Sequence, residues 1–424
     1  MGCVFNRQPE EVLRKHDIIY PQKVPLKIQK NKSTYEHLKL KLLKPLIENH
    51  REIIQENIKF KISACCIPGQ DPKGQHEWSC KDSLFCTICQ DKILAMVFDG
   101  HGIEGDKIVN FSKDFMIKFF TNNILLFNEN PEQAFDKMYI ECHNALCSSD
   151  IDSHMSGTTA LGVMLSSKKL HIASVGDCKA LIGTLVEMNN LHNIPTEFKH
   201  KVRHLVNVQG EILSGDHKPN DEPEMERIKK CGGVIKKLVD HNQQPIGPFR
   251  VFMRGANIPG LRISRSLGDE IGKRIGIIPN PIFTSFNYYP GTDQFLVIAS
   301  DGIWDVMTPN EVSQFVESCR KMCEPSEYLV RPVIKPENSS ICRLLCEEAR
   351  KKWLNIIENE DLMIDDFSCI IIEFEGEEEV QTGGLIRHVQ KFRSFHEIEN
   401  DGIYEKFLSK RELIKLRHLQ NTKN

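Results

Sequence analysis

The chain has 424 residues, with 55 Lys and Arg against 58 Asp and Glu, and a formal net charge of −3. That balance gives no global electrostatic footprint for nucleic acid, and the length allows one large domain or two ordinary ones. No apolar run approaches the ~20 residues that cross a bilayer, and the first 30 residues are too charged for a secretory signal.

Residues 1–34 are polar and basic, with Pro21 and Pro25, and read as a loosely ordered arm. Met1-Gly2-Cys3 hints at acylation, but Asn6 stands where a Ser or Thr is wanted. The spacing of Leu38, Leu42, Leu43, Leu46, Ile53 and Ile54 predicts an amphipathic helix over 35–56, interrupted by Pro45. Residues 1–58 therefore read as arm and helix, and 59–374 as the globular domain.

Within that domain, strand patterns fall at 83–89, 93–98, 158–165, 170–175, 179–182, 295–299 and 369–374. Helical patterns fall at 105–122, 131–147, 222–231, 309–322 and 340–356. Several strands are joined by connections too short for anything but antiparallel pairing. The expected class is α+β: a sandwich of two antiparallel sheets flanked by helices. Segments 184–210, 236–258 and 323–339, rich in Asn, Pro, His and charge, read as surface insertions. Residues 375–424 read as a polar tail, with a basic-leaning helix over 404–419.

The 15 cysteines are odd in number and scattered, which fits free thiols in a reducing compartment; cytoplasm or nucleus is the expected location. Cys86-Thr87-Ile88-Cys89 has zinc-knuckle spacing, but a strand sends residues three apart to opposite faces. No second pair completes a tetrahedral site. Cys319/Cys323 and Cys342/Cys346 read as helical core packing.

Two apolar runs end abruptly in Asp-Gly, at Asp99-Gly100 and Asp301-Gly302, and Asp365-Asp366 precedes a third. Singly, Asp-Gly is a common turn dipeptide. Three carboxylates delivered by core strands, however, are how a protein builds a rigid site for a hard divalent cation. A metal-dependent hydrolase is the first hypothesis.

In chain order there follow Val97-Phe98-Asp99-Gly100-His101-Gly102, Ser156-Gly157-Thr158-Thr159, Val175-Gly176-Asp177, Asp216-His217-Lys218-Pro219, Glu226-Arg227-Ile228 and Gly232-Gly233. Ser264-Arg265-Ser266-Leu267-Gly268-Asp269, Asp301-Gly302 and Asp365-Asp366-Phe367-Ser368 complete the set. This ordered set resembles the metal-dependent serine/threonine phosphatases of the protein phosphatase 2C family. It is most similar to the divergent members described as protein phosphatase 2C-like domain-containing proteins.

The resemblance implies a β-sandwich flanked by helices. It also implies two Mg²⁺ or Mn²⁺ ions bridged by Asp99, with the Gly100 carbonyl on one and Asp301 and Asp365 on the other. Asp177 matches an additional acidic position linked to a weaker third ion. A water between two cations would lose its proton near neutral pH and attack phosphorus. His101 matches the general acid for the departing seryl or threonyl oxygen. Partners would be phosphoproteins, met by a monomer. Ser264 to Asp269 and Gly232-Gly233 read as scaffold.

The departures point elsewhere. Glu77 falls where the family has a phosphate-gripping Arg, and Lys81 replaces the first of two acids, Asp82 being the second. Asp366 stands where the family usually has Asn. Losing a bidentate Arg–phosphate contact costs about 2 kcal/mol, although Lys81 offers a point charge nearby. Two readings follow: a divergent phosphatase, or a catalytically impaired pseudophosphatase that acts as a binding adaptor.

Overall fold

The computed structural model describes residues 47–55, 58–70, 79–166, 169–185, 208–289, 292–321, 340–357 and 363–376. The chain opens with strands β1 (Ile47–Gln55), β2 (Ile58–Ile67), β3 (Asp82–Cys89) and β4 (Lys92–His101). Helices α1 (Gly105–Asn122), α2 (Ile124–Glu129) and α3 (Pro131–Cys147) follow. Next come β5 (Gly157–Thr158), β6 (Ala160–Ser166), β7 (Lys169–Val175), β8 (Lys179–Leu185), β9 (Val208–Ile212) and α4 (Glu222–Lys230). Strands β10 (Gly233–Val239), β11 (Pro245–Met253), β12 (Pro259–Leu261) and β13 (Leu267–Gly268) lead to α5 (Glu270–Lys273). The last elements are β14 (Ile282–Asn287), β15 (Asp293–Ala299), α6 (Asp301–Trp304), α7 (Pro309–Lys321), α8 (Ile341–Ile357) and β16 (Phe367–Gly376).

One sheet runs β1-β2-β16-β15-β8-β9, and a second runs β13-β5-β4-β6-β7-β14 with β3 also beside β4. Every pairing between these strands is antiparallel. Alternate residues make the sandwich. Ile58, Phe60 and Ile62 from β2 and Ile370, Ile372 and Phe374 from β16 share one buried cluster with Ile93, Ala95 and Val97 from β4. The intervening residues of β4, Leu94, Met96 and Phe98, face the other way and pack against Val109, Met116 and Phe120 of α1 and Phe135 of α3. A period of two on the strand thus serves both layers. Helix α8 lies against β2 and β16 on the far side. At the start of α3, Asn130 caps the helix by accepting from the Gln133 backbone N–H at 3.1 Å, and Pro131 follows it.

The sandwich confirms the expected class, and α1 and α3 fall where the apolar periodicity places them. One expectation fails, and a second is refined. Residues 47–55 form a strand rather than the end of a helix, with Ile47 opposite Cys66 and Gln55 opposite Ile58. Ile47, Ile53 and Ile54 suit either period, and pairing with β2 decides. The segment 236–258 is not a bare insertion: β10 and β11 pair along it and β12 completes a small third sheet. The N-terminal arm, the rest of the predicted helix, residues 186–207 of the expected 184–210 insertion, residues 323–339 and the tail beyond 376 lie outside the described residues, as does Glu77.

Candidate metal centre

Three strand ends converge on one point. Strand β4 delivers Asp99, whose backbone N–H donates to Thr159 Oγ1 at 3.0 Å and whose carbonyl accepts from Thr159 N–H at 2.9 Å. Asp177 follows β7, and Asp301 opens α6 directly after β15. Carboxylate oxygens of Asp99, Asp177 and Asp301 all lie within 4.8 Å of one another. Gly302 permits the approach: a Cβ there would sit 2.0 Å from the Asp366 carbonyl oxygen. A Cβ on Gly100 would sit 2.7 Å from the carbonyl oxygens of Lys81 and Gly105.

Such crowding has an electrostatic cost. Burial, then the charges of Asp301, Asp82, Asp365 and Asp177, pushes the Asp99 carboxyl well above the usual range. Burial and the charges of Asp365 and Asp177 do the same to Asp301, with Arg262 opposing. At Asp177 burial also pushes upward, but Lys218 and Arg262 outweigh it and hold the carboxyl low. Lys218 Nζ lies 2.5 Å from Asp177 Oδ2, and Arg262 Nη2 lies 2.7 Å from Asp301 Oδ2. These two side chains offset part of the like-charge repulsion, and they prevail at Asp177 alone of the three.

Asp365 is not one of the converging three. Burial raises its carboxyl to about 6, against a bond from the Asp366 backbone N–H to its Oδ1 at 2.9 Å. Asp366 is a brace: Oδ1 accepts from Gly69 N–H at 2.6 Å and Oδ2 from Lys81 N–H at 2.8 Å. Lys81 in turn accepts from Gly100 N–H at 3.1 Å. Asp82 sits opposite Asp99 in the β3–β4 pair and accepts from Ser300 Oγ at 2.7 Å. Burial and the Asp366 charge push its carboxyl well up. His101 Nε2 lies 2.8 Å from Oδ2 of Asp269, which is fully buried.

The donor set is all carboxylate and carbonyl oxygen, held rigidly and repelling itself, and it suits a hard divalent cation such as Mg²⁺ or Mn²⁺. Among the described residues, Cys86 and Cys89 join no cluster of possible metal ligands.

Residues 79–352 match the protein phosphatase 2C family. The chain belongs to that family. A relative from Arabidopsis thaliana described as probable protein phosphatase 2C 35 is 28% identical over 293 residues, covering 66% of this chain and 73% of the relative. Probable protein phosphatase 2C 41 from the same plant is 33% identical over 300 residues, covering 66% and 78%. In fold, the chain is similar to a serine-threonine phosphatase 2C from Toxoplasma gondii, with TM-score 0.56 and 18% identity, over 78% of this chain and 99% of that one.

Three residues of this phosphatase-family site escaped the sequence reading. Lys218 lies in Asp216-His217-Lys218-Pro219, where nothing local marks it as a partner of Asp177. Of the expected scaffold run 264–269, Ser264 and Arg265 do serve that purpose, both bonding Glu224, but Asp269 reaches His101. Arg262 lies just ahead of the Ser-Arg-Ser run, and long-range contacts on both sides, β12 with β11 and Ser264 with His217, hold its backbone in place.

Proposed function

We propose that this chain is a Mg²⁺- or Mn²⁺-dependent protein serine/threonine phosphatase. The observation that carries the reading is the convergence of Asp99, Asp177 and Asp301 within 4.8 Å on three strand ends. Asp99, Asp301, Asp365 and the Gly100 carbonyl would hold two ions, with Asp177 available to a weaker third. When bound, the ions supply a water acidic enough to act as nucleophile near neutral pH and positive charge for the phosphoryl oxygens.

The chain's own residues do the rest. Asp82 ties the start of β3 to Ser300 beside Asp301, and Asp366 ties Lys81 to the approach of β16, so the carboxylates keep their spacing. His101 Nε2 is engaged by Asp269, which fixes the ring and leaves Nδ1 to give a proton to the departing seryl or threonyl oxygen. His101 is 27% exposed, so a bound phosphopeptide can reach it.

Purified protein should release phosphate from a phosphothreonine peptide with Mn²⁺ and not with chelator. Tight peptide binding without release, with Mn²⁺ bound, would favour the adaptor reading.

A further inference from the structure

The backbone that carries Arg262 is pinned on both sides. Before it, β12 pairs with β11, and Arg250 Nη1 donates to the Gly260 carbonyl at 2.7 Å. After it, Ile263 and Ser264 are buried, and Ser264 N–H donates to the His217 carbonyl at 2.9 Å. From this fixed origin the guanidinium reaches across both halves of the centre. Nη2 lies 2.7 Å from Asp301 Oδ2 and 3.0 Å from Asp305 Oδ2, while Nε lies 3.3 Å from Asp177 Oδ2. The Nε contact is an ion pair without hydrogen-bond alignment, so that buried N–H is left unsatisfied.

A guanidinium on Asp301 and Asp177 occupies the charge that a divalent cation would use. A divalent cation on the same carboxylates would repel the guanidinium at this range and weaken its hold on them. Asp305, at the rim with 37% of its side chain exposed, lies outside the converging trio and can keep the guanidinium at the mouth when the other two carboxylates are taken. A planar fork with an unsatisfied N–H beside a cation centre is what a phosphate dianion accepts in bidentate fashion.

We infer that Arg262 is the phosphate-binding cation of this chain, doing from the position just after β12 what the family's arginine does at the Glu77 position, and that it rests on the carboxylates only while no divalent cation holds them. The inference rests on the phosphatase reading and names the residue through which the substrate's phosphoryl group is gripped. A purely structural ion pair would stabilise the fold but leave phosphate affinity untouched.

The test uses full-length protein in two calorimetric titrations: Mn²⁺ into metal-free protein, and inorganic phosphate into Mg²⁺-loaded protein. Arg262→Gln should bind Mn²⁺ at least about threefold more tightly, since an internal competitor is gone. It should bind phosphate about ten- to a hundredfold more weakly. Arg262→Lys, which keeps the charge without the fork, should fall between, and it carries the test if the Gln variant fails to fold. Wild-type phosphate affinity in the loaded variants overturns the inference alone. A loaded wild type that binds no phosphate overturns the phosphatase reading and the inference with it.

Discussion

His101 and Asp269 are 168 residues apart in sequence and 2.8 Å apart in space, Nε2 to Oδ2. Burial pushes the Asp269 carboxyl up, but His101 and Lys273 outweigh it and hold it below the usual carboxylate range. Asp269 itself has φ of +50°, a conformation that Asn and Asp tolerate better than other side chains. The backbone there is set to aim one carboxylate at one imidazole.

Asp269→Asn keeps that backbone while weakening the hold on His101. It should slow phosphoserine-peptide hydrolysis about ten- to a hundredfold and p-nitrophenyl phosphate hydrolysis by less than about threefold, because nitrophenolate leaves without a proton. His101→Gln should show the same split. Equal losses on both substrates would place the pair in site support rather than proton donation.

Asp366 offers two acceptor oxygens to two backbone N–H groups, from Gly69 and Lys81. An Asn would offer one oxygen and turn an amide N–H₂ toward the other donor. Asp366→Asn, although it restores the family's usual residue, should therefore destabilise the fold by about 1–3 kcal/mol in urea unfolding. A neutral substitution would mean that these bonds are not what holds the Gly69 and Lys81 loops.

Much of this was legible in the sequence, for a physical reason. Period-two and period-3.6 burial are strong in β4, α1 and α3, whose alternate residues fill two clusters. Asp99, Asp301 and Asp366 announce themselves by following or preceding apolar runs. Residues 47–55 were not legible, because their few isoleucines fit both periods and only β2 breaks the tie. Arg262 was not legible either. Its place on Asp301 depends on β12 joining a third sheet, and no local pattern encodes that long-range docking.

Mn²⁺ should raise the melting temperature by mass action, and more at pH 7 than at pH 5. The sign follows from Asp365, whose carboxyl is raised to about 6 by burial. Below that value the metal-free protein holds a proton there, and burial and neighbouring carboxylates push Asp99 and Asp301 in the same direction. The cation must displace these protons, so its apparent affinity falls as pH falls. Asp301→Asn should abolish most of the shift. A shift independent of pH, and retained in that variant, would place the ion elsewhere.

The most direct measurement is turnover of a phosphothreonine peptide in ¹⁸O-labelled water by Mn²⁺-loaded protein, with metal occupancy checked on the same sample. Repeated turnover that chelator stops is expected, with the label incorporated into inorganic phosphate and absent from the threonine. Intact peptide in the presence of fully bound Mn²⁺, or label in the threonine hydroxyl, would contradict it.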